Sequence, residues 1–150
     1  MAAFTQPPLR PLNSLAISLK NDPAELNRLA ELLAEFGQQH GIGPTDLLAV
    51  DLSLHEHVTN IINYGYAEAD AHSREIIVRL QLQDRVLCIE VEDDARPFNM
   101  LERLRVNTTV PLDRKPVGGL GIHIIRRSMD ELAYRRAGGK NVLLMTKRLG

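Results

Sequence analysis

The sequence predicts an α+β domain: a two-layer sandwich in which a mixed, largely antiparallel sheet is covered on one face by helices. Three observations carry this reading. Strand-like alternation of apolar residues appears once near the start, twice around a tight turn in the middle and twice more near the end. Two long segments with apolar residues at steps of three and four lie between the first strand and the rest. The resulting order, β, α, α, β, β, loop, α, β, β, groups strands with strands, as antiparallel sheets with helices on one side do.

Each element has its own signal. Residues 1–13 carry three prolines and little periodicity, which predicts an extended lead-in before a single domain over 14–150. Leu15, Ile17 and Leu19 alternate, so a strand should be buried on one side. In NDPAEL, Asp22 is placed to cap a helix, with Pro23 at the first helical position and Glu25 three residues after the cap. That helix should run from Pro23 to His40, where GIGPT breaks it. A second amphipathic helix, from Pro44 to Tyr64, carries Leu47, Val50, Leu54, Val58 and Ile61 at helical spacing. After a polar stretch at 67–73, Ile76, Val78, Leu80 and Leu82 alternate on one strand and Leu87, Ile89 and Val91 on the next, around a turn at Gln83, Asp84 and Arg85. Residues 95–117 form a long connection with three prolines and one short helix near Asn99–Arg105, a length that inside a compact domain signals function or disorder. A helix from Leu120 to Met129 follows, then ELAYRR and NVLLMTKR as strands joined by AGGK.

Composition narrows the function classes. With 150 residues the chain can bury a real core, roughly 68–70% of its unfolded surface. Eighteen basic against nineteen acidic residues give a net charge of −1, which provides no overall attraction to nucleic acid or anionic lipid. Arg126, Arg127, Arg135 and Arg136 form no stripe with aromatics and read as solvated charges or a protein-docking surface. The single cysteine, Cys88, rules out an internal disulfide framework, suits a reducing cytosol and reads as a small buried hydrophobe. No secretory leader or membrane-span pattern is present, so a soluble cytoplasmic protein is expected.

Three stretches carry chemistry. GGLGIHIIRR, residues 118–127, puts glycines at the start of a helix, where free N–H groups and the dipole attract anions and small residues allow close approach to a phosphate. A flexible loop entering a helix is the bland alternative. The spacing is neither a Walker P-loop nor a dinucleotide fingerprint. In LSLHEHVTNIINYGY, Glu56 and Asn60 are four apart and therefore neighbours on the helix, with Ser53 and Asn63 on the same stripe. A carboxylate beside a carboxamide oxygen can orient a hydroxyl or water and help hold magnesium. A plain solvated face is the competing account. His55 and His57 flank Glu56 but point apart, a poor metal pair, and read as surface or supporting residues. His123, just inside the third helix, reads as packing or solvent-facing. In VEDDARPFN a strand ends in acids, where Asp93 could accept a hydrogen bond from an amino group or simply face water.

Together, and in this order, Glu56-x-x-x-Asn60 with NYGY, VEDDARPF and GGLGIHIIRRSMDELAYRR resemble the GHKL ATPase superfamily, and within it the anti-sigma factor and serine-protein kinase branch of the RsbW type. The resemblance extends over roughly residues 14–149. It implies the Bergerat ATP-binding fold, ATP and magnesium as cofactors, and the 95–117 segment as a lid over the nucleotide. It implies that Glu56 is the general base, that Asn60 binds magnesium and that Asp93 accepts the adenine amino group. Gly118, Gly119 and Gly121 would cradle the phosphates, with Leu120, Asn63 and Ala95 completing the nucleotide contacts and Arg114 or Lys115 placing positive charge on the terminal phosphate. By the same resemblance the partners are a small antagonist protein that accepts the phosphoryl group and a sigma factor, with no direct nucleic-acid or membrane contact. Relatives are often homodimers, and an exposed edge of the first strand would suit that. The sequence departs from the family at Ala95, where glycine is usual and a methyl group opposes a positive φ, at Tyr64, where many relatives have histidine, and at Lys140 and Asn141, where small hydroxyl residues are usual. Ala95 keeps a second reading open, a catalytically weak nucleotide-binding module that acts by sequestering a protein. A detached ATP-binding domain of the histidine-kinase kind is the third. The short chain and the missing phosphoacceptor helix speak against it.

Overall fold

The structure, a computed structural model of the chain, describes residues 13–66, 75–105 and 119–150, with only the backbone of 103–105 and 119–121. The expected lead-in, the 67–73 connection, most of the lid segment, and Arg114, Lys115 and Gly118 lie outside the described residues.

The elements follow the expected order. They are β1 (Ser14–Lys20), α1 (Glu25–Gln39), α2 (Pro44–Asn60), a π-helical turn (Ile61–Gly65), β2 (Glu75–Gln83), β3 (Val86–Asp93), a 3-10 helix (Met100–Arg105), α3 (Gly119–Ser128), β4 (Glu131–Ala137) and β5 (Lys140–Arg148). The strands form one sheet in the order β1-β2-β3-β5-β4, and every pairing is antiparallel. β1 and β4 are therefore the edges.

Local chemistry explains the boundaries. α1 begins two residues later than Pro23 because Asp22 closes a turn of its own: its carboxylate accepts the Ala24 N–H, and its carbonyl accepts the N–H of Glu25. Glu25 then reaches back to the Lys20 N–H at 3.0 Å, a capping contact displaced by the turn. That backbone bond leads the effects that hold the Glu25 carboxyl below its ordinary value. α2 starts with Pro44 in its first turn, where a missing N–H costs nothing. The β2–β3 hairpin turns through Asp84 and Arg85, both with positive φ, and the β4–β5 hairpin through Gly138 and Gly139, which reach that region without a Cβ penalty.

The core lies between the sheet and the helices. Ile17, Leu19, Val78, Leu80, Ile89 and Met145 point from the strands toward Leu33, Val50, Leu54 and Val58 of the helices, all nearly inaccessible. Strand alternation sends the intervening residues to the other face. Cys88 is among them: it is exposed, not buried, because Leu87 and Ile89 on either side take the inward positions. Among the described residues no helix is long and apolar enough to cross a membrane.

Candidate functional site

α2 contacts α1 and α3 and lies over the sheet, so more of its surface is enclosed than a simple amphipathic pattern suggests. Ser53, His57 and Asn60, spaced at four and three, are all buried. The solvated-face account of the sequence-read stripe is thereby corrected for Ser53 and Asn60 alone. The surface half of the reading of His57 is corrected too: the residue is buried, and burial pushes its imidazole down to about 4. Ser53 Oγ and His57 Nδ1 have no hydrogen-bond partner among the described residues. His55 is exposed, Glu56 and His123 are partly buried, and Asn63 is exposed. Glu56 and Asn60 make no side-chain hydrogen bond to the described residues, which leaves a carboxylate and a carboxamide four residues apart ready for an external group.

Beyond Asn60 the helix widens into the π-helical turn, a form that concentrates at functional sites. This turn carries Tyr64 and Gly65 against the loop after β3. The Arg96 guanidinium donates to the Tyr64 carbonyl at 2.9 Å. The Tyr66 hydroxyl, immediately after the turn, donates to Asp94 Oδ1 at 2.7 Å and accepts the Asp94 N–H at 3.3 Å. Burial, and then the Asp94 carboxylate, raise the Tyr66 phenol above its ordinary value, so it stays protonated and can donate. A Cβ added to Gly65 would stand 3.2 Å from the Ala95 methyl. Ala95 is itself buried and lies outside the positive-φ region, so its methyl group fits the first box without backbone strain.

Asp93 ends β3 and is 4% exposed. Its Oδ1 accepts two hydrogen bonds, from the Ala95 N–H at 3.0 Å and from Asn141 Nδ2 at 2.9 Å. Burial pushes its carboxyl up, while those two donors pull it back. Oδ2 has no hydrogen-bond partner among the described residues, so the carboxylate keeps an open acceptor. That open acceptor matches the need of an amino group on a base.

Asn141, Tyr134 and Arg136 were not singled out as site residues by the sequence, yet all three reach this loop. Asn141 Oδ1 accepts from the Tyr134 hydroxyl, from Arg136 and from the Phe98 N–H. Arg136 also donates to the Ala95 carbonyl at 2.8 Å, so this exposed charge has a partner in the loop as well as solvent. The signal along the chain is only that Asn141 comes just after the two-glycine turn; its pairing in register with Asp93 belongs to the folded sheet. Register between distant strands is not visible along one chain.

In the third box, Gly119, Leu120 and Gly121 form the first turn of α3, so their backbone N–H groups are the unpaired ones at a helix start. Acids, amide and helix N-terminus together make a donor and acceptor set suited to a purine nucleotide with its phosphates. Among the described residues no three His, Cys, Asp or Glu side chains gather as a metal cluster.

Comparison with known proteins agrees with this fold. Residues 19–147 match the family described as "Histidine kinase-like ATPase domain". No curated protein matches. Among solved structures, the RsbU and RsbW domains of Rv1364c from Mycobacterium tuberculosis are similar at 19% identity and a TM-score of 0.66, covering 91% of this chain and 32% of that one. The blue-light activated histidine kinase EL346 of Erythrobacter litoralis is similar at 19% identity and a TM-score of 0.52, covering 85% and 41%. The histidine kinase AdeS of Acinetobacter baumannii is similar at 11% identity and 0.51, covering 91% and 68%. The chain thus spans about a third of the first of these proteins and two fifths of the second. At such identities the likeness speaks for the fold. The match over residues 19–147 speaks for more, and the chain belongs to the family of histidine kinase-like ATPase domains.

Proposed function

We propose that this chain is an ATP-dependent regulatory serine/threonine-protein kinase and anti-sigma factor of the RsbW type, which phosphorylates a small antagonist protein and changes partner with its phosphorylation state. The domain over 14–150 would be the whole catalytic unit. The observation that carries the reading is the pair Glu56 and Asn60, both free of hydrogen bonds to the described residues, on a helix whose next turn is clamped to the Asp93 loop. The likeness to the RsbW domain of the mycobacterial protein supports it.

In this reading Asp93 accepts the adenine amino group and Gly118, Gly119 and Gly121 hold the phosphates at the helix start, with Leu120, Asn63 and Ala95 along the nucleotide and Arg114 near its terminal phosphate. Magnesium, when bound, neutralises phosphate charge, and Asn60 supplies a carboxamide oxygen suited to it. Glu56 takes the proton from the attacking serine or threonine hydroxyl of the antagonist. The hydroxyl oxygen bonds to the γ-phosphorus as the bond to the β,γ-bridging oxygen breaks, and ADP leaves with that electron pair. Positioning and charge neutralisation do most of the work in such a transfer. The sigma factor would be held while the antagonist is phosphorylated. A cytoplasmic location follows from those partners.

Glu56→Ala tests the chemistry. Transfer of labelled γ-phosphate to an antagonist protein should fall by at least about a hundredfold, within the range for loss of a general base, while calorimetric ATP affinity stays within about threefold. A variant that phosphorylates at the wild-type rate would remove Glu56 from the base role. A folded wild-type chain that binds its partner with no transfer at all would favour the sequestering module instead. The fit of the Ala95 methyl group against Gly65 supports the active reading.

A further inference from the structure

Among the described residues, the Asn141 side chain hydrogen-bonds on both its oxygen and its nitrogen around the loop after β3. The β3–β5 register places it directly across from Asp93, so the two side chains meet on one face of the sheet. Its nitrogen donates to Asp93 Oδ1 at 2.9 Å and to the Arg96 carbonyl at 2.9 Å, with the Ala95 carbonyl at 3.4 Å. Its oxygen accepts from the Phe98 N–H at 3.2 Å, from Arg136 at 3.1 Å and from the Tyr134 hydroxyl. The orientation of this amide is forced. The Phe98 N–H and the Arg136 guanidinium can only donate and must meet oxygen, while the Arg96 and Ala95 carbonyls can only accept and must meet nitrogen. Asp93 therefore always faces an N–H of Asn141.

We propose that Asn141 is the positioning residue for base selectivity: it ties down Asp93 Oδ1, so that Oδ2 of an ionised carboxylate alone is presented to the base. The proposal rests on the reading of Asp93 as the acceptor for adenine. An ionised carboxylate accepts hydrogen bonds and cannot donate, so it welcomes the exocyclic amino group of adenine and repels the carbonyl oxygen at the same place in hypoxanthine or guanine. A protonated Asp93 would donate to that carbonyl and lose the distinction. Asn141 opposes protonation with its N–H, where burial alone favours it. A serine or threonine hydroxyl has one proton, which cannot serve both Asp93 and the Arg96 carbonyl. The asparagine does both and also joins the base-reading acid to β4 through Tyr134 and Arg136.

The test is calorimetric titration of ATP and of inosine triphosphate into the full chain, as wild type, Asn141→Asp and Asn141→Thr. Asn141→Asp is isosteric. It keeps the acceptor for Phe98, Tyr134 and Arg136 but turns an oxygen toward Asp93. Expected is a wild type that prefers ATP, and an Asn141→Asp variant whose ATP-to-inosine-triphosphate affinity ratio falls by at least about tenfold, the size of one lost hydrogen bond to a charged group. Asn141→Thr, which retains one donor, should fall between them and covers the case in which the aspartate variant does not fold. A merely structural role would lower both affinities by the same factor, and an unchanged ratio in the folded variants would overturn the proposal. A folded wild-type chain that binds neither triphosphate would instead overturn the nucleotide reading on which the proposal rests.

Discussion

His57 and the pair Asp84 and Arg85 show how single residues carry costs that the surrounding fold offsets. His57 is buried on α2 with Nδ1 unpartnered among the described residues, and its imidazole is held down to about 4 from 6.5. The unfolded chain therefore takes up a proton first as pH falls, and the folded state loses stability from pH 6.5 down through 4, by about 3 kcal/mol in all. Urea unfolding of wild type and His57→Leu at pH 7 and pH 4 should show the difference between them shift by that amount in favour of the variant. A pH-independent difference would mean that the imidazole is solvated. Asp84 (φ 51°) and Arg85 (φ 61°) occupy a turn that favours Asn-Gly. The double change Asp84→Asn with Arg85→Gly should stabilise the chain by ~0.5–1 kcal/mol, even though it removes the exposed bond from Arg85 to the Gly150 carbonyl. An unfolding midpoint that does not rise would show that the turn carries no strain.

At the scale of elements, the end of α2 and the loop after β3 behave as one unit. Tyr66 holds Asp94, Arg96 holds the Tyr64 carbonyl, and Ala95 fills the space that Gly65 leaves. Gly65→Ala should cost about 1–3 kcal/mol by overpacking against Ala95 and should weaken ATP binding through the displaced loop. Introducing Ala95→Gly in the same chain should recover part of both losses, with a coupling of at least about 0.5 kcal/mol in the double-mutant cycle. Additive effects would mean that the two boxes are independent. The helices and strands themselves were legible because apolar spacing reports a buried face whatever lies opposite it. The π-helical turn was not, since Ile61 and Ile62 continue the apolar pattern without marking a change of hydrogen-bond step. The late start of α1 was also hidden, because Asp22 can cap either a helix or a turn of its own.

For the molecule as a whole, one sheet face is covered by helices, and the nucleotide site proposed above lies where α2, the loop after β3 and the start of α3 come together. Ligand that binds only the folded chain should stabilise it by about 2.7 kcal/mol at a hundredfold excess over Kd. ATP with magnesium should accordingly raise the Tm of wild type, and Asn60→Ala should lose most of the magnesium-dependent part. An equal rise in both would exclude Asn60 from holding the metal. The sequence alone determined the α+β class and the order of elements, because periodicity, capping and glycine placement are local and survive in a single string, while the three boxes with Glu56, Asn60 and Asp93 stood out by family resemblance. It misplaced Cys88, and it gave no warning that Ser53 and His57 would be enclosed or that Arg136 would serve the Asp93 loop. Those are outcomes of strand register and of how helices lie against one another. Only the folded chain brings Asn141, which lies 48 residues beyond Asp93, to within 2.9 Å of its carboxylate. Hydrogen bonds between distant strands have no period along the chain, so the residues that aim the site are decided by tertiary structure.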